Sequence, residues 1–207
     1  VVRPDDAGAT RLAVDHLVGH GHRRIGFVGA TRHPEVRRRY AAFHAATVQH
    51  GLVPHPEDEF LVPEAGAEGG LRAARLLAAA AERPTALLVA ADTTAMGLLE
   101  GLEEAGISVP DDLAIVSFGN RDRGAFAPVA LTSVDLCPRQ IGERVARLVE
   151  RTLADERPQP GVRVARSAVL VTRRSCGCGT GVQGELESTY APAGDADPAA
   201  VWFARAG

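Results

Sequence analysis

The apolar positions along residues 6–134 follow two patterns that alternate in order. Short, mostly apolar runs of strand length occupy residues 24–29, 60–62, 86–90 and 113–118. Apolar residues spaced three or four apart, the spacing of one helix face, occupy residues 6–20, 35–50, 66–82 and 92–105. A strand without polar alternation is covered on both faces. The pattern therefore predicts an α/β fold with a doubly wound parallel sheet.

The stretch 85–120 is one βαβ unit and gives the clearest view of the predicted sheet. In such sheets, ligands lie in the crevice beyond the carboxyl ends of the strands. Here those ends carry Ala91-Asp92 and Gly119-Asn120. We therefore expect a binding edge at these residues, although Asp92 also fits an ordinary helix cap.

Three consecutive arginines, Arg37, Arg38 and Arg39, begin the second helix. Successive helix residues point about 100° apart, so only one of the three can face that crevice. An arginine in a cleft suits hydroxyls and carboxylates because its planar fork offers two aligned donors.

The pattern changes beyond Asn120. A short strand is expected at 131–134, and Pro138 begins a predicted helix. The apolar residues expected to be buried on that helix are Ile141, Val145, Leu148 and Val149. Residues 162–164 and 168–172 could pair as an antiparallel hairpin, and residues 179–207 are typical of a disordered tail.

Composition excludes several classes of partner. The net charge of −3 gives no electrostatic footprint for nucleic acid, and all 23 basic residues are arginine without forming a stripe. The sequence has no run of about 20 apolar residues and no leader pattern, so it predicts neither a membrane span nor secretion. The expected location is the cytoplasm.

The candidate chemistry is sparse. Cys176 and Cys178 could bind a metal with His20 and His22, but neither pair has C-x₂-C or H-x₃-H spacing, and we expect no metal there. The loop after Gly29 lacks both GxGxxG and GxxxxGK[ST], so no nucleotide cofactor is predicted. No nucleophile elbow or carboxylate pair lies at the predicted strand ends, which disfavours an enzyme.

A set of spaced motifs runs in unbroken order over about residues 2–178. It consists of residues 8–29, Pro84-Thr85-Ala86, Ala91-Asp92, Met96-Gly97, 109–112, Pro128, 131–134 and 173–178. Together these motifs resemble the effector-binding domain of the LacI/GalR family of transcriptional regulators.

The resemblance implies a fold like the periplasmic sugar-binding proteins, with two lobes and a ligand in the cleft between them. It also implies a homodimer that places helix-turn-helix heads on DNA, and those heads are not in this chain. Residues 1–130 are then expected to form the second lobe. Residues 131–178 would belong partly to the missing first lobe, and residues 179–207 would be a tail.

The same resemblance implies a binding site. Arg39 falls where the family has the arginine that grips the effector, and His33 and Glu35 fall on an adjacent ligand-facing loop. The other matching positions are Asp92, Gly119, Asn120 and Ala65, of which three depart from the family pattern. Relatives carry Asn-Asp at Ala91-Asp92, Asp-Asp at Gly119-Asn120 and a stacking aromatic at Ala65. Either the effector is bulkier and less hydroxylated than a simple sugar, or the pocket has lost its ligand.

Our leading hypothesis is a ligand-responsive, non-enzymatic transcription regulator that binds a sugar or related metabolite. An alternative attaches the same sensing domain to a cyclase or kinase output, and a transport receptor outside the cytoplasm is a third. Leu98 and Leu102 with Phe126 are the candidates for the dimer interface, although the two leucines also fit ordinary core packing.

Overall fold

The computed structural model describes residues 2–154, 163–165, 168–179, 181–185 and 190–192. The helices in these ranges are α1 Asp6–Gly19, α2 Pro34–Gln49, α3 Ala67–Ala79, α4 Asp92–Glu104, α5 Asp122–Ala125 and α6 Pro138–Leu153. The strands are β1 Val2–Pro4, β2 Ile25–Gly29, β3 Glu59–Leu61, β4 Ala86–Val89, β5 Ala114–Phe118, β6 Thr132–Asp135, β7 Arg163–Ala165, β8 Val169–Thr172, β9 Gly181–Glu185 and β10 Tyr190–Pro192.

The central sheet has the strand order β3-β2-β4-β5-β6-β8-β9. Strands β3, β2, β4, β5 and β6 are parallel, whereas β8 and β9 run antiparallel to their neighbours. The predicted α/β fold is therefore confirmed. Its parallel strands all end at one edge, which is where the sequence places its candidate site.

Each face of the sheet is covered by a pair of helices. Helices α1 and α2 pack on one face around Phe27 and Phe43, and α3 and α4 pack on the other around Leu77 and Leu98. Helices α3 and α4 approach closely at Gly97, where an added Cβ would lie 2.0 Å from a backbone oxygen of α3. Two such layers fix the carboxyl ends of the strands between them.

The region after β6 differs from the sequence prediction. The hairpin of residues 162–164 and 168–172 is wrong: β7 pairs with β1 and β10 in a separate three-stranded sheet, while β8 joins the central sheet. The predicted tail contains β9 and β10, and the rest of residues 179–207 lies largely outside the described residues. Sequence periodicity does not say which partner a short strand chooses, because pairing is set by tertiary packing.

Helix α6 forms where it was predicted, but its apolar face is not buried within the described chain. No residue of α6 is buried against the rest of the described chain. Val145, Val149 and Leu153 are exposed, and Ile141 and Leu148 are half-buried. The apolar stripe that predicts the helix therefore has little to pack against within the described residues. None of the described helices is both long and apolar enough to cross a membrane.

Candidate functional site

The residues predicted for the site follow the ends of four adjacent parallel strands. Arg39 lies on α2 after β2, and Asp92 begins α4 after β4. The other predicted residues lie in the connections that leave the same edge, namely His33 and Glu35 after β2, Ala65 after β3, and Gly119 and Asn120 after β5.

Arg39 is buried and lies across the ends of β4 and β5. Its Nε donates to Oδ1 of Asp6 at 2.9 Å, and its Nη1 donates to the carbonyl oxygen of Ala90 at 2.7 Å. The guanidinium carbon lies 4.6 Å from the centre of the Phe118 ring. Among the described residues, none hydrogen-bonds Nη2 of Arg39, so the guanidinium keeps donor capacity at the strand ends.

Asp6, in the first turn of α1, holds this arginine in place. The N-cap of α1 is Asp5, whose side chain accepts from the backbone N–H of Gly8. Asp6 is buried in the first turn, where its Oδ2 also accepts from Nε of Arg38 at 2.7 Å. The sequence does carry a signal for this role, the tandem Asp5-Asp6. Only one of two adjacent aspartates can cap the start of a helix, so the other is available to pair with a cation.

Helix α2 is held in place beside this pair by a second polar contact. Tyr40 donates to Glu59 of β3, and Nε2 of His44 lies 3.0 Å from the same carboxylate. Burial and the hydrogen bond to Glu59 raise the pKa of Tyr40 well above its usual value, so the phenol stays protonated and keeps donating. Because Tyr40 follows Arg39 directly, this contact also limits the positions that Arg39 can take.

Asp92 is buried and does not cap α4. The cap position is Ala91, and the carboxylate of Asp92 points toward β5 and β6 instead. Its Oδ1 accepts from Ser117 at 2.5 Å and Ser133 at 2.7 Å, and its Oδ2 accepts from the backbone N–H of Arg121 at 2.8 Å. Asp92 therefore ties the ends of three neighbouring strands together, and these internal bonds occupy both of its oxygens.

Gly119 and Asn120 are shaped by this arrangement. Gly119 has a φ of +131°, and an added Cβ would lie 3.2 Å from Oδ2 of Asp92. Asn120 has a φ of +49°, its Nδ2 donates to Asp135 at 3.0 Å, and its Oδ1 accepts from Nη2 of Arg173 at 2.7 Å. The side chain of Asn120 thus links β5 to the ends of β6 and β8.

Comparison with known proteins shows which family has this architecture. A periplasmic binding protein-like domain model matches residues 14–176, which is most of the chain. The chain belongs to this family. Within it, the chain is similar to the effector-binding domain of LacI-family regulators, as the following relatives indicate.

The relatives are transcriptional regulators. The HTH-type transcriptional repressor MelR of Bacillus subtilis is 31% identical over 182 residues, covering 84% of this chain and 52% of that protein. The LacI family transcriptional regulator from Lactobacillus casei with bound sucrose has a TM-score of 0.68 at 26% identity, over 83% of this chain and 64% of that one. A dimeric lac repressor shares the fold with a TM-score of 0.77 at 23% identity, over 84% of this chain and 63% of that chain. The chain spans about half the length of the curated relatives it matches.

Three of the predicted site residues make no hydrogen bond to Arg39 or Asp92 within the described residues. His33 accepts a hydrogen bond from Arg32, Glu35 is half-buried in the first turn of α2, and Ala65 is exposed. The described part of the chain shows no hydrogen bond from any of them to Arg39, Asp92 or Asn120. They lie in connections that leave the same edge of the sheet as Arg39 and Asp92, and their role in binding stays a prediction.

The predicted dimer residues of the domain divide into two groups. Leu98 and Leu102 have no exposed surface and pack against α3, so their assignment to the interface is corrected to core packing. Phe126 is 87% exposed in the loop after α5. Near it lies a groove of about 590 Å³ lined by Met96 and Leu99 of α4, residues 106–109 and residues 127–129. The outer face of α4 is therefore the side of this helix that a partner could reach.

Proposed function

We propose that this chain is the effector-binding and dimerisation domain of a ligand-controlled DNA-binding regulator. Its effector is a small molecule, a sugar or a related metabolite, and DNA is bound by a helix-turn-helix head that this chain does not contain. The family membership and the regulator relatives support this proposal. A DNA-binding regulator of this kind works in the cytoplasm.

The observation that carries the proposal is the orientation of the Arg39 side chain. Its guanidinium is buried, oriented by Asp6 and Ala90, and left with an unpaired Nη2 at the edge where α/β sheets bind ligands. An arginine fixed on two sides loses little entropy when it binds a hydroxyl or carboxylate on its third. We infer that Arg39 is the anchor for the effector.

The remaining polar groups narrow the effector's chemistry. The side chains of Asp92 and Asn120 already form hydrogen bonds with residues of neighbouring strands or the segments that follow them. This supports an effector that this lobe grips chiefly through Arg39, with few further hydroxyl contacts. The contacts of Asp92 and Asn120 would act indirectly, by holding the strand ends in position.

The second half of the cleft would come from outside this chain. We propose that residues 1–130 are the second lobe and that residues 131–178 belong partly to the first, on which the apolar face of α6 packs. Effector binding between the lobes would favour a closed arrangement and so shift the dimer between DNA-competent and DNA-incompetent states. The exposure of Val145, Val149 and Leu153 supports such a partner for α6.

A thermal-shift panel of sugars, nucleosides and small acids on the full-length gene product tests the effector proposal. We expect at least one compound to stabilise the protein and Arg39→Ala to weaken that compound about 10–100-fold, since a hydrogen bond to a charged group contributes about 1.5–3 kcal/mol. Arg38→Ala is the matched control, because Arg38 also bonds Asp6 but has no contact with Ala90 or Phe118. Undiminished binding by Arg39→Ala would exclude Arg39 as the anchor.

The homodimer is tested separately. We propose that a second copy covers the groove beside α4 together with Phe126, an exposed aromatic next to half-buried Met96 and Leu99. Sedimentation of the full-length protein should show dissociation for Phe126→Arg and Met96→Arg. Val53→Arg changes another exposed apolar residue on a distant loop and should leave the dimer intact. An unchanged dimer in both test variants would place the interface elsewhere.

A further inference from the structure

Two histidines and two cysteines that are distant in sequence meet where α1 approaches the end of β8. His16 lies in the last turn of α1, and His20 is the C-cap residue one turn further on. Cys176 and Cys178 flank Gly177 at the end of a short 3₁₀ helix, Arg174–Cys176. Nε2 of His16 lies 3.3 Å from Sγ of Cys176 and 3.8 Å from Sγ of Cys178. Nε2 of His20 lies 3.1 Å from Sγ of Cys178.

These separations match those between the ligands of a tetrahedral metal site. Zinc lies about 2.3 Å from sulfur and about 2.0–2.1 Å from imidazole nitrogen, which places the ligand atoms of a tetrahedron about 3.3–3.8 Å from one another. The ligand atoms of His16, Cys176 and Cys178 all lie within 4.8 Å of one another. The three side chains already surround a common point and need only small adjustments.

The surroundings of Cys176 orient its sulfur. Cys176 is buried, and the hydroxyl of Thr132 lies 3.0 Å both from its Sγ and from the carbonyl oxygen of Arg173, the two acceptors within reach of its proton. That hydroxyl is held in turn by the backbone N–H of Arg173, which donates to it at 2.8 Å. Hydrogen bonds of this kind around a ligand sulfur are typical of metal sites, because they fix the ligand before the ion arrives.

The cluster is also accessible. Cys178 and His16 are half-buried and His20 is exposed, so one side of the cluster faces solvent. A cation could enter from that side, and His20 could complete the coordination after a small side-chain rotation. Two thiolates and two imidazoles suit a borderline-soft divalent cation such as zinc.

We propose that His16, Cys176 and Cys178, with His20 as the fourth ligand, form a structural zinc site. The bound ion would join α1 to the segment after β8, a link between residues 160 positions apart. Spacing along the chain predicts no metal here when His20 is taken together with its neighbour His22. His22 instead contacts Thr85, and the H-x₃-H spacing is that of His16 and His20.

The test compares zinc binding by the chelator-treated full-length protein and its variants. After incubation with Zn²⁺ and desalting, elemental analysis should find about one zinc per chain. Free Zn²⁺ at about 100 times its Kd should raise the Tm of the full-length protein by roughly 3–5 °C. Co²⁺ bound at the same site should show thiolate charge-transfer absorption, a readout that depends on the sulfur ligands rather than on stability.

The variants separate the proposed ligands from their neighbours. Cys178→Ser and His16→Asn should lose the zinc and its Tm shift, whereas Cys137→Ser and His22→Asn should keep both. Cys178 is chosen because Cys176 is buried and its replacement could disturb folding on its own. The proposal is overturned if Cys178→Ser retains zinc like the parent protein, if bound cobalt shows no thiolate band, or if a Cys176–Cys178 disulfide forms in place of metal binding.

Discussion

Arg39 and Asp92 are both buried charged residues at neighbouring strand ends, yet the structure uses them differently. Both oxygens of Asp92 accept hydrogen bonds from within the chain, from Ser117, Ser133 and Arg121. Arg39 is oriented by Asp6 and Ala90 but keeps one nitrogen without a partner among the described residues. A buried charged residue at a strand end can therefore be fully paired within the fold or keep an unpaired donor, and its hydrogen bonds distinguish the two cases.

The largest effect is expected when the support of Arg39 is removed. Asp6→Ala leaves a buried guanidinium without its carboxylate, and breaking a buried ion pair in this way costs about 3–5 kcal/mol of unfolding free energy. Urea denaturation measures the loss. Asp5→Ala is the matched control, since it removes only a helix cap and should cost about 1 kcal/mol. Equal losses for the two variants would mean that Asp6 does not hold Arg39.

Asp92 gives the next largest effect. Asp92→Ala leaves two buried hydroxyls and one backbone N–H without their acceptor, which should lower the unfolding free energy by about 3 kcal/mol. The exposed Asp122→Ala should change it by less than about 0.5 kcal/mol.

A double-mutant cycle of Asp92→Ala with Ser133→Ala sharpens the assignment. If Asp92 acts by tying strand ends together, the two losses should be non-additive, with a coupling energy of about 1–3 kcal/mol. Additive losses would contradict the structural role of Asp92.

The sequence predicts which residues lie at this edge of the sheet, but it does not predict which hydrogen bonds each of them makes. The uninterrupted apolar strands fix which residues follow them, so the positions of Arg39, Asp92 and Asn120 could be read from the chain. Which partners a buried charge finds depends on side chains that tertiary packing delivers, such as Ser133 from β6 or Asp6 from α1. For the same reason, the pairing of His16 with Cys176 could not be predicted from local spacing.

Helix α6 shows a second limit of prediction from sequence. Its apolar stripe predicts the helix correctly, because periodicity reports a face that prefers burial. The apolar stripe does not indicate whether the surface that buries it belongs to the same segment of chain. Val149 and Leu153 remain exposed here, whereas the comparable face of α4 is buried against α3.

A smaller effect on stability, with a larger effect on binding, is expected for Arg39→Lys. One ammonium group keeps the charge but cannot bond Asp6 and Ala90 and also present a planar fork to an effector. We expect a stability loss of about 1–2 kcal/mol and an effector affinity about 10-fold or more below that of the parent protein. Calorimetric titration of a panel hit measures the affinity, with Arg38→Lys as the control. A lysine variant that binds as tightly as the parent would show that charge alone is sufficient.

The smallest effect is expected at Asn120, and it separates side-chain bonds from backbone conformation. Asn120→Gly keeps a left-handed φ without strain and removes only the bonds to Asp135 and Arg173, so it should cost about 1 kcal/mol. Asn120→Ala removes the same bonds and forces a Cβ into that conformation, which adds about 1 kcal/mol. Urea denaturation of both variants gives the difference directly. If alanine is no worse than glycine, the turn relaxes to another conformation, and Asn120 does not constrain the end of β5 in the way that Asp92 does.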